Sequence, residues 1–187
     1  LPLQLLRGVG RAHWKNSLRR RSIIAKDRRK NNLRGIEALP LCGRSMEFIR
    51  EGDDVILRLD PGEEIHASIQ SLSEHGIKCA AITSGIGRVR DIRIGYLDSD
   101  GVYQTLDHDG PMELLSTQGN LMPGPDGPFT HLHTIMSDNG HHVHGGHLYH
   151  ATIHVVGELH LRVMDAESMN REPTNTEFVA LKFCGAE

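Results

Sequence analysis

The sequence predicts an α+β fold with a central antiparallel sheet and one main helix. One segment, between residues 60 and 76, has the spacing of apolar residues that is typical of an amphipathic helix. After it, short runs of branched apolar residues alternate with turns that contain Gly, Asp or Asn. Strands that alternate regularly with helices, as in a doubly wound parallel sheet, are absent from this pattern.

The 187-residue chain divides into a basic segment and an acidic remainder. Residues 1–45 hold 12 Lys and Arg against two acids, whereas the other 142 residues hold 9 basic and 22 acidic residues. Residues 1–45 also lack an apolar period, so we expect a disordered extension. A nucleic-acid-binding arm, an organellar transit peptide, a structured helix and sequence foreign to the functional protein all stay open. Since the chain begins with Leu1 and the composition changes at Met46, we expect 46–187 to be the functional domain.

The composition of 46–187 disfavours several classes of protein. Its excess of acids disfavours direct binding of nucleic acid, whose phosphates are neutralised by Lys and Arg. No run approaches the roughly 18 apolar residues of a membrane span. The three cysteines of the chain are scattered and odd in number, which favours a reduced, cytoplasmic protein over a disulfide framework.

The first strand and the helix follow each other directly. Val55–Leu59 is predicted as a strand because it is rich in branched apolar residues. Asp60 is predicted as the helix N-cap, with Pro61 at the first helical position and Glu63 completing a capping box. The apolar helix face and the glycine predicted to end the helix after residue 75 are Ile65, Ile69, Leu72 and Gly76.

The remaining elements are predicted as strands joined mostly by tight turns. Asp98–Gly101 and Asp138–Gly140 have the composition of hairpin turns. Met122–Pro128 contains three prolines and is predicted as a loop. The predicted strands are 77–83, 89–97, 102–106, 112–116, 129–136, 148–156, 159–164 and 178–183.

Nine of the thirteen histidines lie between residues 131 and 160. His131 and His133 alternate along a predicted strand, so both imidazoles point to one face and can converge on a divalent metal. A third ligand should come from the next strand. A two-residue turn at Asn139–Gly140 would put His147 on the opposite face, but a bulge at Gly145–Gly146 would bring it opposite His133. We therefore predict that bulge and a metal site of His131, His133 and His147.

The other histidines have simpler explanations. His141, His142 and His144 are expected at the hairpin tip, and His150 and His154 are expected on the surface or in a subunit contact. Even the three predicted ligands have an alternative, which is that histidines merely occupy the polar face of a sheet.

The segment His131-Leu-His-Thr-Ile-Met-Ser-Asp138, followed by Gly145-Gly-His-Leu148, resembles the bacterial and archaeal branch of the PPC (plants and prokaryotes conserved) domain family. Leu59–Glu64, Ser84–Gly87 and Met112–Asn120 agree with it in the same order. The resemblance implies a compact α+β domain that assembles as a homotrimer, with metal-binding histidines at residues 131, 133 and 147 near a subunit boundary. Plant members carry AT-hook motifs, and no Arg-Gly-Arg-Pro occurs in this chain.

Three further residues are candidates for the site. Glu113 and Asn120 are predicted either to orient the imidazoles or a substrate, or to be a strand-end charge and a turn asparagine. Ser84–Gly87 with Arg88 could offer backbone amides and a cation to an anion, although a tight turn also explains this segment.

Three functions follow from these residues. The first is a trimeric regulatory or scaffold protein that binds a divalent metal, with zinc favoured over iron or another transition metal, and that has room for a small-molecule ligand. The second is a metal-dependent enzyme, for which Glu113 is the best candidate acid or base. The third is a DNA-binding regulator, which would have to use the basic residues 1–45.

Overall fold

The computed structural model describes residues 46–165, 169–174 and 179–183. The predictions for residues 1–45 therefore lie outside the described residues. One short helix, α1 (Ile65–Ser71), continues as a 3₁₀ helix (Leu72–His75). The strands are β1 (Glu47–Glu51), β2 (Asp54–Leu59), β3 (Ala80–Leu97), β4 (Tyr103–His108), β5 (Met112–Gly124), β6 (Gly127–Ser137), β7 (Val143–Val163), β8 (Met169–Pro173) and β9 (Val179–Phe183).

The strands form one large antiparallel sheet and one small one. The large sheet has the order β1-β2-β7-β6-β5-β3-β4, and β7 also pairs with β3. Because β7, β6, β5 and β3 are successive neighbours, this extra pairing closes the four strands on themselves. β8 and β9 form a separate two-stranded sheet. The predicted antiparallel sheet with one helix agrees with this architecture, although the helix contributes only a small part of it.

The helix begins four residues later than the sequence predicts. Glu64, not Asp60, is the N-cap, and its carboxylate accepts a hydrogen bond from the backbone N–H of Ala67 at 2.7 Å. The predicted start fails because Gly62 and Glu63 exchange backbone hydrogen bonds with Ile153 of β7, both at 2.8 Å, and Gly62 has φ +91°, which is outside the helical range. The predicted apolar face of Ile65, Ile69 and Leu72 is buried. The predicted end of the helix at Gly76 is confirmed, since this residue has a left-handed φ of +80°.

Two predicted interruptions of the sheet are wrong. Met122–Pro128 is not a loop: β5 and β6 stay paired as far as Gly124 and Gly127. The prolines fit because this end of the hairpin extends past the pairing of β5 with β3, so a missing N–H leaves no neighbouring acceptor unpaired. Ser84–Gly87 is likewise neither a turn nor an anion-binding loop, since it lies inside the bulged strand β3.

The core lies between the inner face of the closed strands and α1. It is mostly aliphatic, and its fully buried members include Leu57, Leu132, Met136, Leu148 and Leu161. Within the described residues, no helix is long and apolar enough to cross a membrane. The alternating residues of β5, β6 and β7 that do not enter this core form the outer face on which the histidines lie.

Candidate metal centre

The three predicted ligands lie together on the outer face of β6 and β7. His133 is directly opposite His147, so the two side chains share a face. The predicted bulge at Gly145–Gly146 is wrong, because the ladder is regular from Ser137 to His133. The extra residue lies in the turn instead: the loop has three residues, and its last, His141, has a left-handed φ of +62°.

The geometry of this histidine triad (His131, His133 and His147) suits a single ion. One ring nitrogen from each residue lies within 4.8 Å of the others. The ring centroids are 5.1 Å to 5.4 Å apart. Three nitrogens in such a cluster can form one face of a tetrahedral or larger coordination sphere and leave other positions open.

The protonation state of the triad also suits a metal. Burial is the main cause that lowers the pKa of His147 to about 4, and the neighbouring imidazoles lower it further. Burial and then the charge of Arg171 lower the pKa of His131. Both rings are therefore neutral at pH 7, which is the form that ligates metals. The buried Nδ1 of His147 has no hydrogen-bond partner, so it is free to act as a ligand.

Arg171 reaches the triad from β8. Its Nη2 lies 3.2 Å from Nδ1 of His131 and donates to Oδ1 of Asn120 at 3.0 Å. Its Nη1 donates to the carbonyl oxygen of Val179 at 2.8 Å. Asn120 is the direct cross-strand neighbour of His131, so it lies beside the triad and is not a turn residue. Arg171 was not predicted as a site residue, because no local pattern in the sequence shows that β8 packs against β5.

Aromatic rings flank the triad on the β7 side. The ring of Tyr149 lies 4.8 Å from that of His147, and the ring of Tyr103 lies 5.6 Å away. Both tyrosines pack over Gly95, where an added Cβ would be 2.5 Å from the Tyr149 ring. On the other side, a cleft of about 290 Å³ adjoins the triad; its lining includes His133, Ser116, Gln118, Ile135 and Gly145.

His66 of α1 anchors the strands behind the triad. Its Nε2 donates to the carbonyl oxygen of Leu148 at 3.0 Å, and its Nδ1 lies 2.7 Å from the hydroxyl of Thr130. These two residues directly adjoin His147 and His131 in sequence. Burial lowers the pKa of His66, which agrees with a neutral ring in these contacts. His66 is thus a positioning residue, and its place beside the apolar helix face gave no sign of this role.

Two candidates are not brought to the triad within the chain. Glu113 forms an ion pair with Arg88, its cross-strand neighbour. Glu113 also lies opposite Ser137, four residues along β6 from His133, or about 13 Å at the usual rise of a strand. Within one chain, these two side chains form an exposed ion pair near the start of β5.

A second group of histidines lies at the β6–β7 hairpin tip. The carboxylate of Asp138 lies 3.3 Å from Nδ1 of His142 and 3.1 Å from Nε2 of His144. The ring of His144 also packs against that of His108, with centroids 4.7 Å apart. The location predicted for His142 and His144 is correct, but Asp138 and His108 were not expected to join them.

Comparison with known proteins agrees with this fold. Residues 46–166 match the model of the Plants and Prokaryotes Conserved (PCC) domain, the family abbreviated PPC above. A plant- and prokaryote-conserved protein of Pyrococcus horikoshii is 25 % identical, with a TM-score of 0.64, over 79 % of this chain and 100 % of that chain. A metal-containing protein of Archaeoglobus fulgidus is 32 % identical, with a TM-score of 0.61, over 76 % of this chain and 99 % of that chain.

A third solved structure shows the same fold at lower identity. It is a proposed DNA-binding protein of Bacteroides thetaiotaomicron, 20 % identical, with a TM-score of 0.67, over 74 % of this chain and 97 % of that chain. A search of curated proteins gave no significant match. The family match spans well over half of the chain. The chain therefore belongs to the Plants and Prokaryotes Conserved domain family.

Proposed function

We propose that this domain holds a divalent transition metal at His131, His133 and His147 and acts as a regulatory or scaffold homotrimer. The observation that carries the proposal is the convergence of three imidazoles with no carboxylate of the described residues in ion-pair contact with them. Neutral nitrogen ligands favour zinc, with iron or another transition metal as the alternatives. The relative from Archaeoglobus fulgidus, described as metal-containing, supports the same reading.

The trimer is proposed from the family resemblance and from the outer face of the sheet. Ile135 and Val143 are 47 % and 65 % exposed and lie on the same face as His133. Exposed apolar side chains beside a ligand site are typical of a surface that meets another subunit. A boundary between subunits at this face would shield the triad from water.

A metal-dependent enzyme is the second candidate, because a three-histidine site leaves positions for water or substrate. The cleft beside His133 favours it. Glu113, the candidate acid or base, is held by Arg88 away from the triad of the same chain. A DNA-binding regulator is the third candidate and would use residues 1–45, since the domain itself is acidic.

Metal analysis of the purified full chain tests the main proposal. We expect roughly one ion per chain, and His133→Ala should lose nearly all of it because two imidazoles bind far more weakly than three. His154→Ala is the matched control, since His154 is an exposed histidine of β7 outside the triad. Light scattering of the same samples should give three times the 20.8 kDa chain mass.

Two results would contradict the proposal. Equal metal content in the wild type and His133→Ala would exclude the triad as the site. A monomer mass at micromolar concentration would exclude the trimer and leave the metal site to be judged by itself.

A further inference from the structure

Arg171 is a buried cation whose charge is not balanced by any carboxylate of the described residues. It is 7 % exposed, and the groups that contact its guanidinium are a carbonyl, an amide oxygen and an imidazole. The ring of Phe129 lies 5.4 Å from its central carbon. Its Nε–H is buried and has no acceptor. Buried charges are normally paired, so this arrangement points to a bound anion.

The contact between Arg171 and His131 must change when a metal occupies the triad. A guanidinium has donors only, so Nδ1 of His131 accepts from Arg171 and the ring proton is on Nε2. Ligation through Nδ1 would use the lone pair that Arg171 now contacts. Ligation through Nε2 would move the ring proton to Nδ1, which then could not accept. In either case an N–H of Arg171 loses its acceptor while it faces the triad.

The guanidinium of Arg171 and the metal ion at the triad would then be two cations lying close together. Like charges repel strongly at short range in a partly buried site, and an anion between them removes the repulsion. The planar guanidinium pairs with the oxygens of a carboxylate through charge-assisted hydrogen bonds. We propose that the site binds a small organic carboxylate whose charged end lies between Arg171 and the triad; this rests on the metal binding proposed above.

The surroundings indicate the size of such a ligand. The cleft of about 290 Å³ beside His133 is near the lower limit of small-molecule pockets. Its lining combines the polar side chains of Ser116 and Gln118 with the half-exposed Ile135. A carboxylate with a short tail that is partly polar and partly apolar matches this lining.

Cobalt absorption gives a direct test on the full chain. Co²⁺ bound by imidazoles has visible bands that shift when an anion joins the metal, so a titration with sodium acetate measures anion affinity without any enzymatic assay. Arg171→Gln should weaken acetate binding about 10- to 100-fold, the usual value of a charged hydrogen bond. Arg171→Lys should lose less, because it keeps the charge without the planar fork. Acetamide, the neutral analogue, should bind weakly to all variants.

Asn120→Asp keeps Arg171 and gives it a carboxylate partner from within the chain. Oδ1 of Asn120 already lies 3.0 Å from Nη2 of Arg171, so the variant should fold and retain Co²⁺. Because the new carboxylate pairs with Arg171, acetate binding should weaken at least tenfold. Arg162→Gln is the control, since Arg162 pairs with Asp53 and Asp54 on another part of the surface.

The outcomes separate this inference from the proposed function. If the wild type retains Co²⁺ but Arg171→Gln and Asn120→Asp bind acetate within twofold of it, the carboxylate site is wrong and the metal site stands. If the wild type retains no Co²⁺, the metal proposal is wrong and this inference is wrong with it.

Discussion

The β6–β7 hairpin carries two groups of histidines whose surroundings differ in one essential respect. At the hairpin tip, His142 and His144 contact the carboxylate of Asp138. At the triad, no carboxylate of the described residues lies in ion-pair contact, and burial lowers the pKa of His147 to about 4. Burial therefore favours neutral rings for His131 and His147 of the triad. Burial and the nearest charge, more than the number of histidines, therefore decide which group can ligate a metal.

The charged residues that contact the two groups of histidines also differ. The hydrogen bond with His144, followed by backbone N–H groups of the loop, lowers the pKa of Asp138 well below its ordinary range. Asp138 is thus fixed as an anion that organises the loop. At the triad the fixed charge has the opposite sign, because Arg171 lies beside His131.

The largest difference between the two regions should appear when alanine replaces glycine. Gly119 has φ +154°, and a Cβ there would lie 1.9 Å from the carbonyl oxygen of His131. Gly119→Ala should lower the free energy of unfolding by about 3 kcal/mol or more, because both the backbone and its neighbour must move. At the tip, a Cβ on Gly140 would meet only side-chain atoms of His142 and Asp138, at 3.0 Å or more.

Urea denaturation of the metal-free proteins measures this contrast. Gly140→Ala should cost less than about 1 kcal/mol, since the flexible imidazole of His142 can turn aside. Equal losses for Gly119→Ala and Gly140→Ala would mean that the strands behind the triad adapt as easily as an exposed loop.

The pH dependence of stability should distinguish the two regions next. His147 titrates near pH 6.5 in the unfolded chain and near 4 when folded, so between these values the unfolded chain binds more protons. The protein is therefore most stable, as far as His147 is concerned, above pH 6.5. Its free energy of unfolding falls as the pH drops from 6.5 towards 4, and His147 causes no further change below pH 4. Asp138 has a lowered pKa in the folded state, so it stabilises the fold at pH values above its ordinary pKa. This stabilisation is lost only at more acidic pH.

Denaturation at a series of pH values, with NMR titration of the imidazoles, checks this order. In the metal-free protein the ring of His147 should titrate with a midpoint near pH 4, and His147→Gln should reduce the slope of stability between pH 4 and 6.5. His142→Gln is the comparison at the tip. A midpoint for His147 at the ordinary value near 6.5 would show that burial does not control the triad.

The sequence predicted the face of the triad but not the backbone that produces it. Strand alternation placed His131 and His133 together, and pairing arithmetic correctly required one extra residue before His147. The position of that residue was wrong, because His141 adopts a left-handed conformation that glycine usually provides. Hydrogen bonds from the loop backbone to Asp138 hold that conformation, and they are contacts that composition does not reveal.

Long-range contacts account for the other differences between the predicted and the observed structure. Arg171 lies 40 residues from His131 in sequence, and only the packing of β8 against β5 brings them together. The helix start moved because Gly62 and Glu63 pair with β7, a tertiary contact that overrides a sound local capping signal. Met122–Pro128 became a hairpin because its prolines lie where β5 has no other partner.

The smallest effect should come from Asp138→Ala at the tip. Asp138 accepts hydrogen bonds from the backbone N–H groups of Gly140 and His142, at 2.8 Å and 3.0 Å, and so favours the three-residue loop. A two-residue loop would shift the register by one and turn His147 to the core face. Pairing of His147 with Gly95 on its other side opposes that shift. We therefore expect a melting temperature only a few degrees lower and a metal affinity within twofold of the wild type, measured by thermal melting and Co²⁺ titration. A large loss of metal affinity would instead show that the tip, through Asp138, sets the register on which the triad depends.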